Sequence, residues 1–356
     1  KSQPVRDGVN SLYVRSADRQ DAESAYAPLA ATTDGVFWAR DLVNMPGGHL
    51  YPQSYMNDIA NKLSGLLTVE QFDENDLRTM GANGILTVGK GSVHRPGMVV
   101  MRYNGGHAGE APVALVGKGV TFDTGGVNIK PAGGMEDMQV DMGGSAAVAG
   151  AMMSLARRGA PVNVVGVIGM AENMPDAAAY RPGDIITSMS GQTVRVSNTD
   201  AEGRLVLMDC LTYAQQHYDP STIVDYATLT GHAKAVFDGK YSPVFSNHPA
   251  LAQDFISAGN AVGERLWELP WEVYQPGLRD ERADMDHKGG SSAGANVAAA
   301  FLNAFVEDHR AWAHIDMAGQ AMTTGSIGCN RAPCYPSGAT GYGVRQITRW
   351  LENRPG

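Results

Sequence analysis

Asp200, Glu202 and Arg204 occupy alternate positions in the stretch Asn198-Thr199-Asp200-Ala201-Glu202-Gly203-Arg204-Leu205, just ahead of a helical pattern. Alternate residues of extended backbone point the same way, so the spacing predicts that two carboxylates and a guanidinium converge at a strand end. Strand ends are where open α/β sheets hold their ligands. A second block lies upstream, with Lys118 in Gly117-Lys118-Gly119, Asp123 before Gly125-Gly126, Lys130 before Pro131, and Asp141 before Gly143-Gly144. Four carboxylates cannot share one pocket in ionised form unless cations neutralise them, and two divalent ions satisfy that requirement. Together the blocks supply the ligands of a carboxylate-bridged pair of hard or borderline metal ions. The fork of Arg204 suits either a bidentate planar anion or a salt bridge to Glu202.

Asn198 to Leu205 resembles the octapeptide motif of the leucyl aminopeptidase family, cytosolic-type two-metal exopeptidases, and the upstream block resembles that family's other metal-binding segment at the same spacing. Similarity runs from Ala39-Arg40-Asp41-Leu42-Val43-Asn44 to Gly338-Ala339-Thr340-Gly341, without the smaller N-terminal domain such enzymes usually carry. The resemblance implies that Asp123 and Glu202 bridge two ions, that Asp200 completes one site, and that Asp141 and a deprotonated Lys118 complete the other. It implies a water bridging the ions as the nucleophile, a charged Lys130 aimed at the scissile carbonyl, and a bicarbonate on Arg204 as general base. The implied substrates are peptides with a free N-terminus. Their amine would be oriented by Asp141, and a Leu- or Met-like side chain would enter a pocket at Met138, Thr228, Gly231 and Ala318, with the backbone around Leu229 pairing to the extended peptide. Zn or Mn are the expected ions, with Mg or Co also compatible, because carboxylate-rich sites select by geometry and availability. A homohexamer is implied as well.

Four rival readings arise from other features. Gly290-Ser291-Ser292-Ala293-Gly294 fits the G-x-S-x-G pattern of serine hydrolases, but the charged run from Arg279 to Lys288 before it does not read as the buried strand a nucleophile elbow needs. Gly117-Lys118-Gly119 lacks the spacing of a phosphate loop, and there is no His-Glu-x-x-His. Some members of the resembled family bind DNA as architectural proteins, a non-enzymatic alternative that the acidic balance of this chain disfavours.

The elements that must position these residues follow from the hydrophobic pattern. Apolar runs at 98–101, 113–116, 162–168, 223–227 and 313–317 read as buried strands, and helical patterns occupy 144–158, 203–217, 295–306 and 344–351. Strands separated by helices require crossover connections. The expected fold is therefore α/β: a central mixed, largely parallel sheet with helices on both faces. Residues 1–30 read as an irregular linker or the remnant of a leading domain, with a helix from Thr33 to Asn44 opening a catalytic domain over 31–356.

Composition agrees with a soluble globular enzyme: 356 residues, 43% hydrophobic and 18% charged. A net charge of -9 with no basic run argues against nucleic acid, and no apolar run approaches the ~20 residues of a membrane helix. The first residues lack the apolar segment of a signal peptide, although a chain that begins at Lys1 reads as a cleaved or truncated product. Cys210 reads as a buried core residue. Cys329 and Cys334 are spaced to permit a small disulfide loop: if joined they indicate a periplasmic or secreted protein, and if free the cytoplasm is the default.

Overall fold

The computed structural model describes residues 11–323 and 337–354. Eleven strands are found among them: β1 (Thr68–Phe72), β2 (Gly97–Asn104), β3 (Val113–Asp123), β4 (Asn163–Asn173), β5 (Ile185–Thr187), β6 (Thr193–Arg195), β7 (Thr222–Ala227), β8 (Ser242–Ser246), β9 (Leu266–Glu268), β10 (Met285–Asp286) and β11 (Ala311–Asp316). The central sheet runs in the order β1-β2-β4-β3-β7-β11-β8-β9. Its middle pairs, β4/β3, β3/β7 and β7/β11, are parallel, whereas β1/β2, β2/β4 and β11/β8 are antiparallel. The predicted mixed sheet is thus realised with its parallel part at the centre. All six residues of β7 are buried, as expected of a strand covered on both faces.

Two apolar cores lie on the two faces of this sheet. One gathers side chains from helices Arg19–Asn44, Gly143–Arg158 and Val344–Glu352 with Val99, Leu115 and Val224, and the other gathers Gly203–Tyr218 and Gly294–Asn303 with Val100, Val116 and Ile223. Neighbouring residues of one strand thus feed opposite cores, which is the period of two expected of extended backbone. Helix Gly143–Arg158 is rich in glycine, alanine and serine and is buried from Gly143 to Leu155, so it lies close against the sheet. On the other face, Asp209 is buried within helix Gly203–Tyr218 and accepts the backbone N–H groups of Gly84 (2.7 Å), Ile85 (3.3 Å) and Met189 (3.0 Å). Burial pushes its pKa up to about 7 while those donors oppose the rise. The contact anchors the helix that carries Arg204.

The segment read as irregular up to residue 30 becomes helical at Arg19, and the helix continues through Pro28 to Asn44. Its first turns are largely exposed, so they carry no apolar periodicity to mark them. The run from Arg279 to Lys288 is mostly irregular, as expected, yet Met285–Asp286 forms the short buried strand β10, which joins β6 and β5 in a separate three-stranded sheet. Cys210 is buried as predicted, and Cys329 and Cys334 lie outside the described residues.

Candidate metal centre and catalytic pocket

Strand β3 carries two of the candidate ligands. Lys118 is buried within the strand, and Asp123 ends it opposite Asn173 of β4, after a register shift between Val120 and Asp123 that re-aims the strand end. Gly125 and Gly126 follow with φ of 86° and 61°, left-handed values that glycine adopts without steric cost. That turn is closed by the Lys130 N–H donating to the Thr124 carbonyl at 2.8 Å. Lys130 is thereby folded back over Asp123, its Nζ 2.7 Å from Asp123 Oδ2 and 2.5 Å from Asp200 Oδ1. Asp141 comes from the 3₁₀ turn Met138–Met142 that leads into helix Gly143–Arg158. Lys118 Nζ lies 2.6 Å from Asp141 Oδ1 and 2.9 Å from Glu202 Oε1, and also donates to the Thr228 carbonyl at 3.1 Å.

Asp200, Glu202 and Arg204 do converge, though not by extended alternation. Asn198 Oδ1 accepts the Asp200 N–H at 2.8 Å, which turns the chain, and Glu202 is already αR as the residue capping helix Gly203–Tyr218. The triad is presented by a turn and a helix start rather than by a strand. Gly203 is needed for closeness, since a Cβ there would sit 2.4 Å from Lys118 Cε.

Ligand atoms of Asp123, Asp141 and Glu202 all lie within 4.8 Å of one another. Burial, reinforced by the charge of Glu202, pushes Asp123 and Asp141 above the usual carboxylate range against the pull of the lysines. Asp200 is raised to about 6 by burial and then by Asp123. Burial alone would raise Glu202 too, but Lys118 and Lys130 outweigh it and hold it at about 2. Four acids against two lysines leave the cluster short of positive charge, and Asp141 Oδ2 is buried with no hydrogen-bond partner. An all-oxygen set with an unsatisfied lone pair is the chemistry that hard and borderline divalent cations take up, so the residues fit a metal centre. For Lys118, burial would lower the pKa, but Asp141, Glu202 and Asp123 reverse that and hold it above its ordinary value in this arrangement.

Arg204 makes no ion pair with Glu202 among the described residues. Its Nη1 donates to the His287 carbonyl at 2.7 Å, and its buried Nε has no partner. His287 was not singled out from the sequence. It is fully buried, accepts the Ser197 N–H at Nδ1 (3.1 Å) and donates from Nε2 to the Asn198 carbonyl (2.9 Å). Burial and the neighbouring Arg204 lower its pKa to about 4, so it is neutral and pins both the Asn198 turn and the arginine. Asp316 was also missed. Its Oδ1 accepts the N–H groups of Leu229 (3.1 Å) and Ala318 (3.2 Å), and its Oδ2 accepts Thr230 Oγ1 (2.7 Å), so one carboxylate shapes the wall of the pocket. An acid ending an otherwise apolar strand was the signal that could have revealed it.

Every residue expected to bind metal, act in catalysis or contact the peptide lines one cavity of about 560 Å³: the four acids, Lys118, Lys130 and Arg204, together with Met138, Thr228, Leu229, Gly231 and Ala318. Its size suits a small ligand. Gly290 and Ser291 also line it, but Ser292, the central serine of the G-x-S-x-G pattern, does not, and the segment is a loop rather than a strand-to-helix elbow.

Residues 37–348 match the family model described as the cytosol aminopeptidase family, catalytic domain. The chain is 44% identical to a probable cytosol aminopeptidase of Xanthobacter autotrophicus, over 99% of this chain and 70% of the relative. It is 47% identical to another of Bradyrhizobium sp., over 95% of this chain and 67% of the relative. Among solved structures, the bottromycin maturation enzyme BotP in complex with Mn superposes with a TM-score of 0.87 at 35% identity, covering 93% of this chain and 72% of that one.

Proposed function

The chain belongs to the cytosol aminopeptidase family, whose members are metal-dependent peptide hydrolases, and from that premise we propose that it releases N-terminal residues, Leu- and Met-like ones preferred, from peptides with a free α-amine. The observation that carries this reading is the convergence of Lys118, Asp123, Asp141, Asp200 and Glu202 on one cavity that is also lined by Met138, Thr228, Gly231 and Ala318. The four acids would hold two divalent ions, Zn or Mn being the best candidates, with Lys118 joining them only where an incoming ion displaces the proton that Asp141 and Glu202 now hold on it. When bound, such ions supply Lewis acidity and make water acidic enough to act as a nucleophile near neutral pH.

The residues of the chain do the rest. Asp141, with an oxygen lacking a partner, orients the substrate amine, which selects exopeptidase over endopeptidase action. Lys130 is partly exposed to the cavity and keeps its charge, because Asp123, Glu202, Asp141 and Asp200 outweigh its burial. Its ammonium is placed to meet negative charge that develops on the scissile carbonyl oxygen. Arg204 is held by a neutral carbonyl rather than by an acid, and its unpartnered Nε leaves it able to seat a planar anion. Bicarbonate in that position would accept the proton released by water. Asp316 fixes Leu229 and Ala318 against an extended peptide.

No helix among the described residues is long and apolar enough to cross a membrane. We place the protein in the cytoplasm, as a homohexamer, with 31–356 as its catalytic unit. Leucine amide and N-acetyl-leucine amide, assayed side by side, test the reading. The free amine should be cleaved at least about 10²-fold faster, in line with losing an oriented contact at the reacting centre. Equal rates would show that the amine is not recognised and that the enzyme is not an exopeptidase.

A further inference from the structure

Asn173 ends β4, is fully buried, and has no part in the chemistry described above. Its Nδ2 reaches two acceptors, Asp123 Oδ1 at 2.8 Å and the Thr199 carbonyl at 3.0 Å. Turned over, the amide would set its own carbonyl against a carboxylate and a peptide oxygen, so only one orientation is possible. Oδ1 of Asn173 has no partner, which means that Asp123 and Thr199 alone dictate how the amide lies. The main chain reinforces the contact, because the Asn173 carbonyl accepts the N–H (3.0 Å) and the hydroxyl (2.8 Å) of Thr124.

The effect on Asp123 is specific. Oδ1 accepts a second bond, from the Gly125 N–H at 2.9 Å, so its lone pairs are committed. Oδ2, which faces Lys130, is the oxygen left to offer a cation. A carboxylate torsion is otherwise soft, so without the Asn173 donor only the Gly125 N–H would be left to hold the plane of the Asp123 carboxylate against its free oxygen's ligand. The second acceptor, Thr199, immediately precedes Asp200. One amide group therefore joins the loop that carries Asp123 to the loop that carries Asp200 and Glu202. A neutral donor does so without adding to the four negative charges already present.

We propose that Asn173 is a positioning residue of the metal centre, one that fixes the plane in which Asp123 presents its free oxygen and holds the two ligand segments against each other. The proposal rests on the two-ion reading above. A purely structural strut is available for comparison: Asn128 also joins the loops, through its N–H to Thr199 Oγ1 (2.9 Å) and its Oδ1 from the Thr199 N–H (2.8 Å), but it touches none of the proposed ligands.

The test is a Mn(II) titration of the full chain followed by electron paramagnetic resonance of the free ion. It compares wild type with Asn173→Ala, Asn173→Ser and Asn128→Ala, with thermal midpoints of the metal-free proteins alongside. Asn173→Ala should weaken Mn(II) binding about 10- to 100-fold, the usual cost of removing a partner that orients a ligand. Asn128→Ala should stay within about twofold of wild type, although its midpoint falls by as much. Unchanged affinity in Asn173→Ala, or an equal loss in Asn128→Ala, would overturn the proposal. Should Asn173→Ala fail to fold, Asn173→Ser carries the same comparison. Absence of Mn(II) binding in the wild type would instead overturn the two-ion reading together with this inference.

Discussion

Glu202→Ala is expected to lose bound metal and turnover together, with kcat/KM falling by more than about 10³-fold, since a metal ion supplies several kcal/mol of transition-state stabilisation and each 1.36 kcal/mol is tenfold. Glu202 is the acid held most firmly in its ionised form, at about 2, and its Oε1 lies 2.9 Å from Lys118. Without it, Asp123 and Asp141 remain, both pushed towards protonation by burial. Metal analysis of the purified variant by plasma mass spectrometry, beside its rate on leucine amide, checks this. Wild-type metal content in an inactive Glu202→Ala would remove Glu202 from the ligand set.

Lys130→Ala should behave in the opposite way, retaining metal while kcat falls by about 10²-fold or more, the effect of deleting one donor to a developing oxyanion. The ammonium stands 2.7 Å from Asp123 and 2.5 Å from Asp200, so its removal takes a competing cation out of the centre and cannot weaken ion binding electrostatically. The two outcomes separate a ligand from a catalytic group. Loss of metal from Lys130→Ala in proportion to its loss of activity, with turnover per remaining ion unchanged, would show that Lys130 is structural.

Much of this was legible in the chain. Buried strands announce themselves as apolar runs: β2, β3 and β7 contain the runs from which they were predicted, and β4 and β11 contain all but one residue of theirs. The two polar blocks were legible because seven charged groups among glycines have no ordinary place in an apolar sheet. What stayed hidden was set by tertiary contact. Asp200 and Glu202 look extended by spacing, yet the side chain of Asn198 bends the backbone just ahead of them. The early turns of helix Arg19–Asn44 are largely exposed and give no apolar period. His287, Asn173 and Asp209 each act on backbone or side chains at least 20 residues away, and nothing local marks a buried polar residue whose partners come from elsewhere. Local pattern reports which face is buried, not which buried polar groups meet.

The most direct test of the central claim is removal and restoration of metal in the unmodified chain. Purified protein is dialysed against a chelator, its hydrolysis of leucine amide is measured, and Mn or Zn is then added back. Turnover should vanish on chelation and return on addition, saturating at two ions per chain. Full activity in metal-free protein would contradict the account, because four clustered acids and two lysines would then be performing the chemistry without the ions they are arranged to hold.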